Sequence, residues 1–348
     1  MNRRKVIYTG RDRVLLAKMS YHLIELLETI QSIDGIPSIT SIAEELNTHI
    51  STIWRRLKVL RSNYDIFTID VNYAGIGARH LSILTDIDLG PHPQDDWPVE
   101  HYISLLPKGA LYILLTRDLR LEETLDSITR TLENLGTDYS LRIYTTAYRG
   151  GVSLREYYDL TSRAMNPRWE RVVEAVKVAS RVTPPTYRRV RTDLVDLAII
   201  DVLSRDPFYS LRDVTSTLNQ MGFQITYSRV RRHYINHVIG RSMIRGVKLR
   251  LDLIPPEEGM DLVFEVTTDP YVAHGLARTL STHPYTRFTL VSDEGDALIR
   301  MVVPHEHVHG AMEVFDQLQR SGFIADWQVF FADRHRSIEY LIPLTSIL

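Results

Sequence analysis

The chain has 348 residues, 44% hydrophobic and 24% charged, and its 41 Lys+Arg against 43 Asp+Glu leave a net charge of −2. The length suggests two domains or a few small ones, the composition excludes a disordered, collagen-like or disulfide-stapled chain, and the absence of cysteine excludes thiol nucleophiles and Cys-based zinc or iron–sulfur sites. No apolar run approaches the roughly 18 residues that span a bilayer, and Met1–Lys5 leads through Val6–Tyr8 back into charge rather than into a secretory apolar core, so a cytoplasmic protein without a membrane partner is expected.

The small net charge hides an alternation along the chain. Residues 1–62 carry +4, 63–150 carry −6, 151–185 carry +2, 186–250 carry +7 and 251–348 carry −9. Two basic blocks, each followed by an acidic one, point to internal duplication of a two-part unit. Only six of the basic residues are lysine; the others are arginine, whose planar guanidinium suits bidentate contacts to phosphate and guanine.

In the first basic block, Val14, Leu15, Met19, Leu23, Leu26, Leu27 and Ile30 recur at helical spacing and predict a helix over 12–33, ended by Asp34-Gly35. Ser38 is placed to cap a second helix over 39–46 and Ser51 a third, whose inward face is Ile53, Leu57 and Leu60. Asn47 sits at the turn between them, where a residue tolerant of left-handed backbone is needed. Residues 64–73 then have the composition of a β-ribbon.

The segment from Ile42-Ala43-Glu44-Glu45-Leu46 through Ser51-Thr52-Ile53-Trp54-Arg55-Arg56-Leu57-Lys58-Val59-Leu60 resembles the DNA-binding half of the Lrp/AsnC family of transcriptional regulators, here in a tandem, archaeal-type version. That resemblance implies a winged helix-turn-helix over residues 1–75. Ser51, Thr52, Trp54, Arg55, Arg56, Lys58 and Arg61 would lie on or beside its groove-facing side.

The second basic block repeats the outline with a longer turn. Thr192 is placed to cap a helix carrying Leu194, Leu197, Ile200 and Leu203, Asp206-Pro207 breaks it, and Ser210 caps the next. After a turn at 221–225, Ser228, Arg229, Arg231, Arg232 and His233 open a second recognition helix around Val230, ended by Gly240. Arg241, Arg245, Lys248 and Arg250 lie on an alternating stretch over 242–253 that predicts a β-ribbon with Gly246 at its tip, a phosphate-contacting wing. These elements make a second winged helix-turn-helix over 187–256.

The acidic blocks have α/β periodicity. Residues 257–348 predict β-α-β-β-α-β, a ferredoxin-like unit, with strands at 262–267, 287–291, 297–302 and 327–331, helices at 271–280 and 307–319, and a turn at Asp293–Asp296. Residues 76–150 predict a less complete version, with strand 80–85, a short helix near 99–105, strand 110–115, helix 121–135 and strand 139–145, one middle strand being missing or very short. A helical linker spans 151–186, with helices over 153–163 and 167–180 and a stiff Pro184-Pro185 break. The fold class is therefore α+β, two winged helix-turn-helix domains alternating with two ferredoxin-like domains.

Enzyme motifs are weak. Gly75-Ile76-Gly77 lacks the third glycine of a dinucleotide fingerprint, and neither a phosphate loop nor HExxH occurs. His305-Glu306-His307-Val308-His309 places two histidines on one helical face without a partner segment, while Asp95-Asp96 and Glu122-Glu123 lack a positioned base. The expectation is a transcriptional regulator, not an enzyme, without cofactor or metal, that acts as a single-chain pseudo-dimer and is nucleoid-associated. Its partners would be double-stranded DNA with unlike half-sites, a small-molecule effector, and a second copy through the α/β domains. The competing expectation is a protein-interaction factor of the basal transcription machinery.

Overall fold

In the computed structural model, residues 4–6, 12, 15, 18–64, 66–94 and 97–347 are described. After strand β1 (Arg4–Val6), helix α1 (Tyr21–Ser32) starts where the Ser20 side chain accepts from the Leu23 amide and buries Ile24, Leu26, Leu27 and Ile30. It is shorter than the 12–33 span predicted: Val14 lies outside the described residues, and Leu15 and Met19 are buried ahead of the helix. Helix α2 (Ile39–Glu45) is capped by Ser38. Asn47 then takes φ 47, as the turn requires, and α3 (Ile50–Asn63) buries Ile53, Leu57 and Leu60. His49, not Ser51, occupies the N-cap and makes no side-chain bond, so Ser51 lies in the first turn. Each fully buried aliphatic side chain contributes roughly 1.5–3 kcal/mol, so tertiary packing stabilises these short helices more than propensity does.

Strand β2 (Phe67–Val71) leads into β3 (Ala78–Thr85), β4 (Val99–Leu106), β5 (Ala110–Arg117), helix α4 (Leu121–Leu135) and β6 (Tyr139–Tyr144). The strands are antiparallel in the order β6-β3-β5-β4, and α4 lays Ile128 and Leu132 against Leu81, Ile83 and Leu114. The helix expected near 99–105 is thus the middle strand thought missing. Its short apolar run fits either period, and pairing with β5 decides it. Among the described residues this unit lacks its first helix; residues 86–94 form a loop there, and the buried Trp97 precedes β4. Asp95 and Asp96 lie outside the described residues.

Strand β7 (Thr146–Arg149), the one-turn helix α5 (Leu154–Tyr157), the small hairpin β8 (Tyr158–Asp159) and β9 (Ala164–Met165), and helix α6 (Trp169–Ala179) follow. The helix expected over 153–163 is therefore reduced to a single turn. The second helical unit consists of α7 (Leu194–Leu203), α8 (Leu211–Gln220), α9 (Tyr227–His233) and a π-helical turn at Tyr234–Ile239. Asp193, one residue after the expected Thr192, caps α7, and Thr226 caps α9. Strand β10 (Ile244–Leu249) comes next.

The last block is complete: β11 (Gly259–Thr268), α10 (Pro270–Ser281), β12 (Thr286–Val291), β13 (Asp296–Pro304), α11 (Val308–Arg320) and β14 (Ile324–Ala332), with a closing strand β15 (Ile338–Leu341). Its order, β14-β11-β13-β12, matches that of the first α/β unit. The two units are sewn together reciprocally. The strand after β6, β7, pairs with β12, and the strand after β14, β15, pairs with β4; β4 also meets β14 at Leu105 and Leu106. The result is a mixed α+β molecule around one large antiparallel sheet. Ile103 and Ile113 share a core with Val263, Phe288 and Leu298 between the units.

The expected wing needs correction. Strand β10 is no hairpin with Gly246 at its tip; it pairs along its length with β2 of the first half, Leu249 opposite Phe67 and Val247 opposite Ile69. The linker is not a passive spacer either. Helix α6 buries Val172, Val173 and Val176 against α10 and α11. Gly275 and Gly310 make that approach possible: a Cβ at 275 would stand 2.7 Å from the Ser180 amide nitrogen, and one at 310 would stand 2.5 Å from the Trp169 ring.

Candidate nucleic-acid interface and central cavity

Burial of Ile53, Leu57 and Leu60 against the first helical unit turns the opposite face of α3 outward. Ser51, Trp54, Arg55 and Lys58 are exposed there, and Thr52 and Arg56 are half-buried. Lys58 Nζ lies 5.1 Å from the centre of the Trp54 ring, a cation–π contact on the surface. Arg61 is exposed but engaged: its Nε donates to Asp206 Oδ2 at 2.8 Å, tying α3 to the second half. In the second unit Val230 is buried, and Ser228, Arg229, Arg231 and Arg232 are exposed. Neither α3 nor α9 contains an acidic residue.

The remaining sequence candidates turn inward. His233 is 4% exposed, and its Nδ1 donates to Asp196 Oδ1 at 2.8 Å. Arg241 donates to the Arg191 carbonyl. Arg245 Nη2 donates to Asp70 Oδ1 at 2.9 Å, with further bonds to Tyr187 Oη and the Ala147 carbonyl. Lys248 Nζ lies 3.3 Å from Asp70 Oδ2, and Arg250 Nη1 lies 3.7 Å from Glu339 Oε1. Arg245 and Lys248 bind the two halves to each other through Asp70, because β10 runs along β2 instead of projecting as a wing, while Arg241 and Arg250 pair within the second half. Burial opposes the charge of Arg245, yet Asp70, Tyr187 and Tyr148 outweigh it and hold the guanidinium above its ordinary pKa.

A cavity of about 490 Å³ lies between the halves, bounded by β2, β4, α7, the start of β12 and the C-terminal segment. This is within the size range of small-molecule sites. Its wall carries cations and anions together: Arg205, Arg250 and Arg287, with Asp201, Glu100 and Glu339. Behind it, His80 Nε2 lies 3.2 Å from Glu100 Oε2, while His101 lies 3.9 Å from both Glu100 and Glu339. All four are buried.

Burial pushes the Asp201 carboxyl up to about 6, although it accepts from the Leu344 and Thr345 amides at 2.6 and 3.1 Å. Burial likewise lowers His283, on the same wall, to about 3. Its Nε2 donates to the Pro167 carbonyl at 3.0 Å, a bond that favours the charged ring but is outweighed by the burial. The Thr286 hydroxyl, buried on this wall, has no hydrogen-bond partner among the described residues. The arginines can receive carboxylate or phosphate groups, and the His–Glu pairs can hold or move a proton.

None of the cavity residues stands in a local motif. Glu100 and His101 are adjacent, but on an apolar run that also fits a helix the pair carries no distinct local signal. Among the described residues no helix is long and apolar enough to cross a membrane.

No family model and no curated protein matches the chain. Among solved structures, siroheme decarboxylase NirDL is similar at 11% identity and a TM-score of 0.46, over 88% of this chain and 89% of that one. The same enzyme in co-complex with an iron-uroporphyrin III analogue gives 10% identity and 0.45, over 88% and 90%. A transcriptional regulator gives 17% identity and 0.20, over 39% of this chain and 91% of its own. The expectation that the chain is not an enzyme is therefore corrected, since the solved chains similar over most of its length are those of an enzyme.

Proposed function

We propose that the chain is a DNA-binding regulator of Lrp/AsnC style. Two helix-turn-helix units, residues 1–75 and 187–256, whose ribbon strands β2 and β10 pair with each other instead of forming separate wings, and two ferredoxin-like units, 76–150 and 257–348, are joined by the linker 151–186 into a pseudo-dimer within one chain. The carrying observation is the pair of acid-free basic helices, α3 with exposed Trp54, Arg55 and Lys58, and α9 with exposed Arg229, Arg231 and Arg232. The β2–β10 pairing supports it by linking the two helical units directly. Because the two helices differ in sequence, they select unlike half-sites.

Selection from random short duplexes across a salt series tests this. An enriched asymmetric motif with a steep salt slope is expected. A strict palindrome refutes the pseudo-dimer, and an absence of binding at low salt refutes the DNA function.

The cavity favours a second activity. Buried His80, Glu100, His101 and Glu339 beside Arg250 and Arg287 suit binding, and acid–base work on, a carboxylate-bearing small molecule. Thermal shifts with a panel of mono- and polycarboxylates, iron-uroporphyrin III among them, test the binding. Product analysis of any stabilising compound tests turnover. No shift with any member refutes a carboxylate site, and an unchanged compound refutes catalysis and leaves an effector site.

A further inference from the structure

Four side chains that the functions above do not use converge in the second helical unit: Asp193, Asp196, His233 and His237. Asp193 is the N-cap of α7 and Asp196 its third residue, His233 ends α9, and His237 lies in the π-helical turn that follows. We propose that these residues bind one divalent transition-metal ion of the zinc class, which pins α9 to α7.

The distances suit such an ion. One ligand atom from each residue falls within 4.8 Å of all the others. His233 Nδ1 and His237 Nδ1 lie 2.8 and 2.9 Å from Asp196 Oδ1, and His233 Nδ1 lies 3.6 Å from Asp193 Oδ2. Nitrogen and oxygen donors placed tetrahedrally at roughly 2.0–2.1 Å from zinc are separated by about 3.3–3.4 Å. These three edges bracket that value and the remaining ones lie within 4.8 Å, so an ion enters as the donors draw in around it and the two His–Asp196 hydrogen bonds give way to metal bonds.

The surroundings orient the donors. Asp193 Oδ1 accepts from the Val195 and Asp196 amides at 2.9 and 3.0 Å, which leaves Oδ2 facing the centre. Asp196 Oδ2 accepts from the Asp193 amide at 3.1 Å, which leaves Oδ1 between the two imidazoles. Backbone bonds of this kind fix metal-binding carboxylates. Asp196 and His233 are buried, whereas Asp193 is exposed and His237 half-exposed, which provides an entry path. Two carboxylates with two neutral imidazoles form a dianionic N₂O₂ set, suited to zinc or cobalt(II) rather than to calcium or magnesium. The π-helical turn also has a purpose here, since a widened turn sets the His233 and His237 rings at 71° with centroids 4.8 Å apart, both presenting Nδ1.

Cobalt(II) titration of the metal-stripped full chain tests the site, followed by competition with zinc and a chromophoric chelator. One equivalent with tetrahedral visible absorption, displaced by zinc, is expected. Asp193→Ser keeps a helix-capping oxygen and removes a ligand, and His237→Gln removes a second; each should weaken binding at least tenfold while retaining the parent circular dichroism. No visible band in the parent, or unchanged affinity in both variants, overturns the proposal. That the ion also orients α9 for DNA rests on the regulator function proposed above. It is read separately, as zinc-dependent duplex affinity in the parent but not in Asp193→Ser, so failure of DNA binding leaves the metal titration decisive.

Discussion

Arg245 separates a wing from a structural clamp. As a wing residue it would contact phosphate, and Arg245→Met would lower the salt slope of duplex binding by about one unit with little change in stability. The structure instead seats its guanidinium on Asp70 at 2.9 Å, with Tyr187, the Ala147 carbonyl and the Tyr148 ring around it, and Lys248 at 3.3 Å on the other Asp70 oxygen. Asp70→Asn strands both cations of this largely buried cluster, a cost of about 3–5 kcal/mol, whereas Arg245→Met leaves Asp70 with Lys248 and costs about 1–3 kcal/mol through the lost hydrogen bonds. The double change Asp70→Asn/Arg245→Met should cost less than the sum of the two, because they share one interaction. At an m value of about 5 kcal/mol/M in guanidinium chloride, Asp70→Asn lowers the unfolding midpoint by about 0.6–1 M. A loss below about 1 kcal/mol in Arg245→Met, together with a reduced salt slope, would refute the clamp.

Three further outcomes are expected. Arg55→Ala and Arg231→Ala, on exposed helix faces, should each weaken specific duplex binding by about 1–3 kcal/mol without altering stability, measured by titration at fixed salt; equal loss on random duplex would mark backbone contacts. His283 has a folded pKa of about 3 against an ordinary 6.5, so its contribution is complete above pH 6.5 and is lost as pH falls toward 3. The stability advantage of the parent over His283→Asn should shrink by about 1.4 kcal/mol per pH unit between pH 6 and 4, and a constant difference in urea midpoints would contradict it. Gly275→Ala should destabilise by about 1–3 kcal/mol through the clash with Ser180, opposite in sign to the gain of about 1 kcal/mol from helix propensity alone. A raised melting temperature would show that α6 does not hold that approach.

The elements legible in the sequence were those whose signal is local. The 3.6-residue stripe through Ile53, Leu57 and Leu60, the Ser38 and Ser210 caps and the left-handed Asn47 all lie where side-chain chemistry or backbone geometry dictated. The β-α-β-β-α-β order after residue 259 lies there too, each strand a short run rich in β-formers between distinct turn signals. The sequence by itself therefore determined most of the helices and strands and the outward basic faces of α3 and α9. Pairing was beyond it, because a strand's hydrogen bonds go to residues far along the chain. Val99–Leu106 became a strand only beside β5, and Arg245, Lys248 and Arg250 turned inward only because β10 chose β2 as its partner. The cavity and the Asp193, Asp196, His233 and His237 group likewise depend on long-range contacts. Glu100 meets His80, Glu339 meets Arg250, and Asp196 meets His233 across separations that no local pattern encodes; tertiary structure alone brings them within bonding distance, since the energy that decides it is burial shared between distant segments.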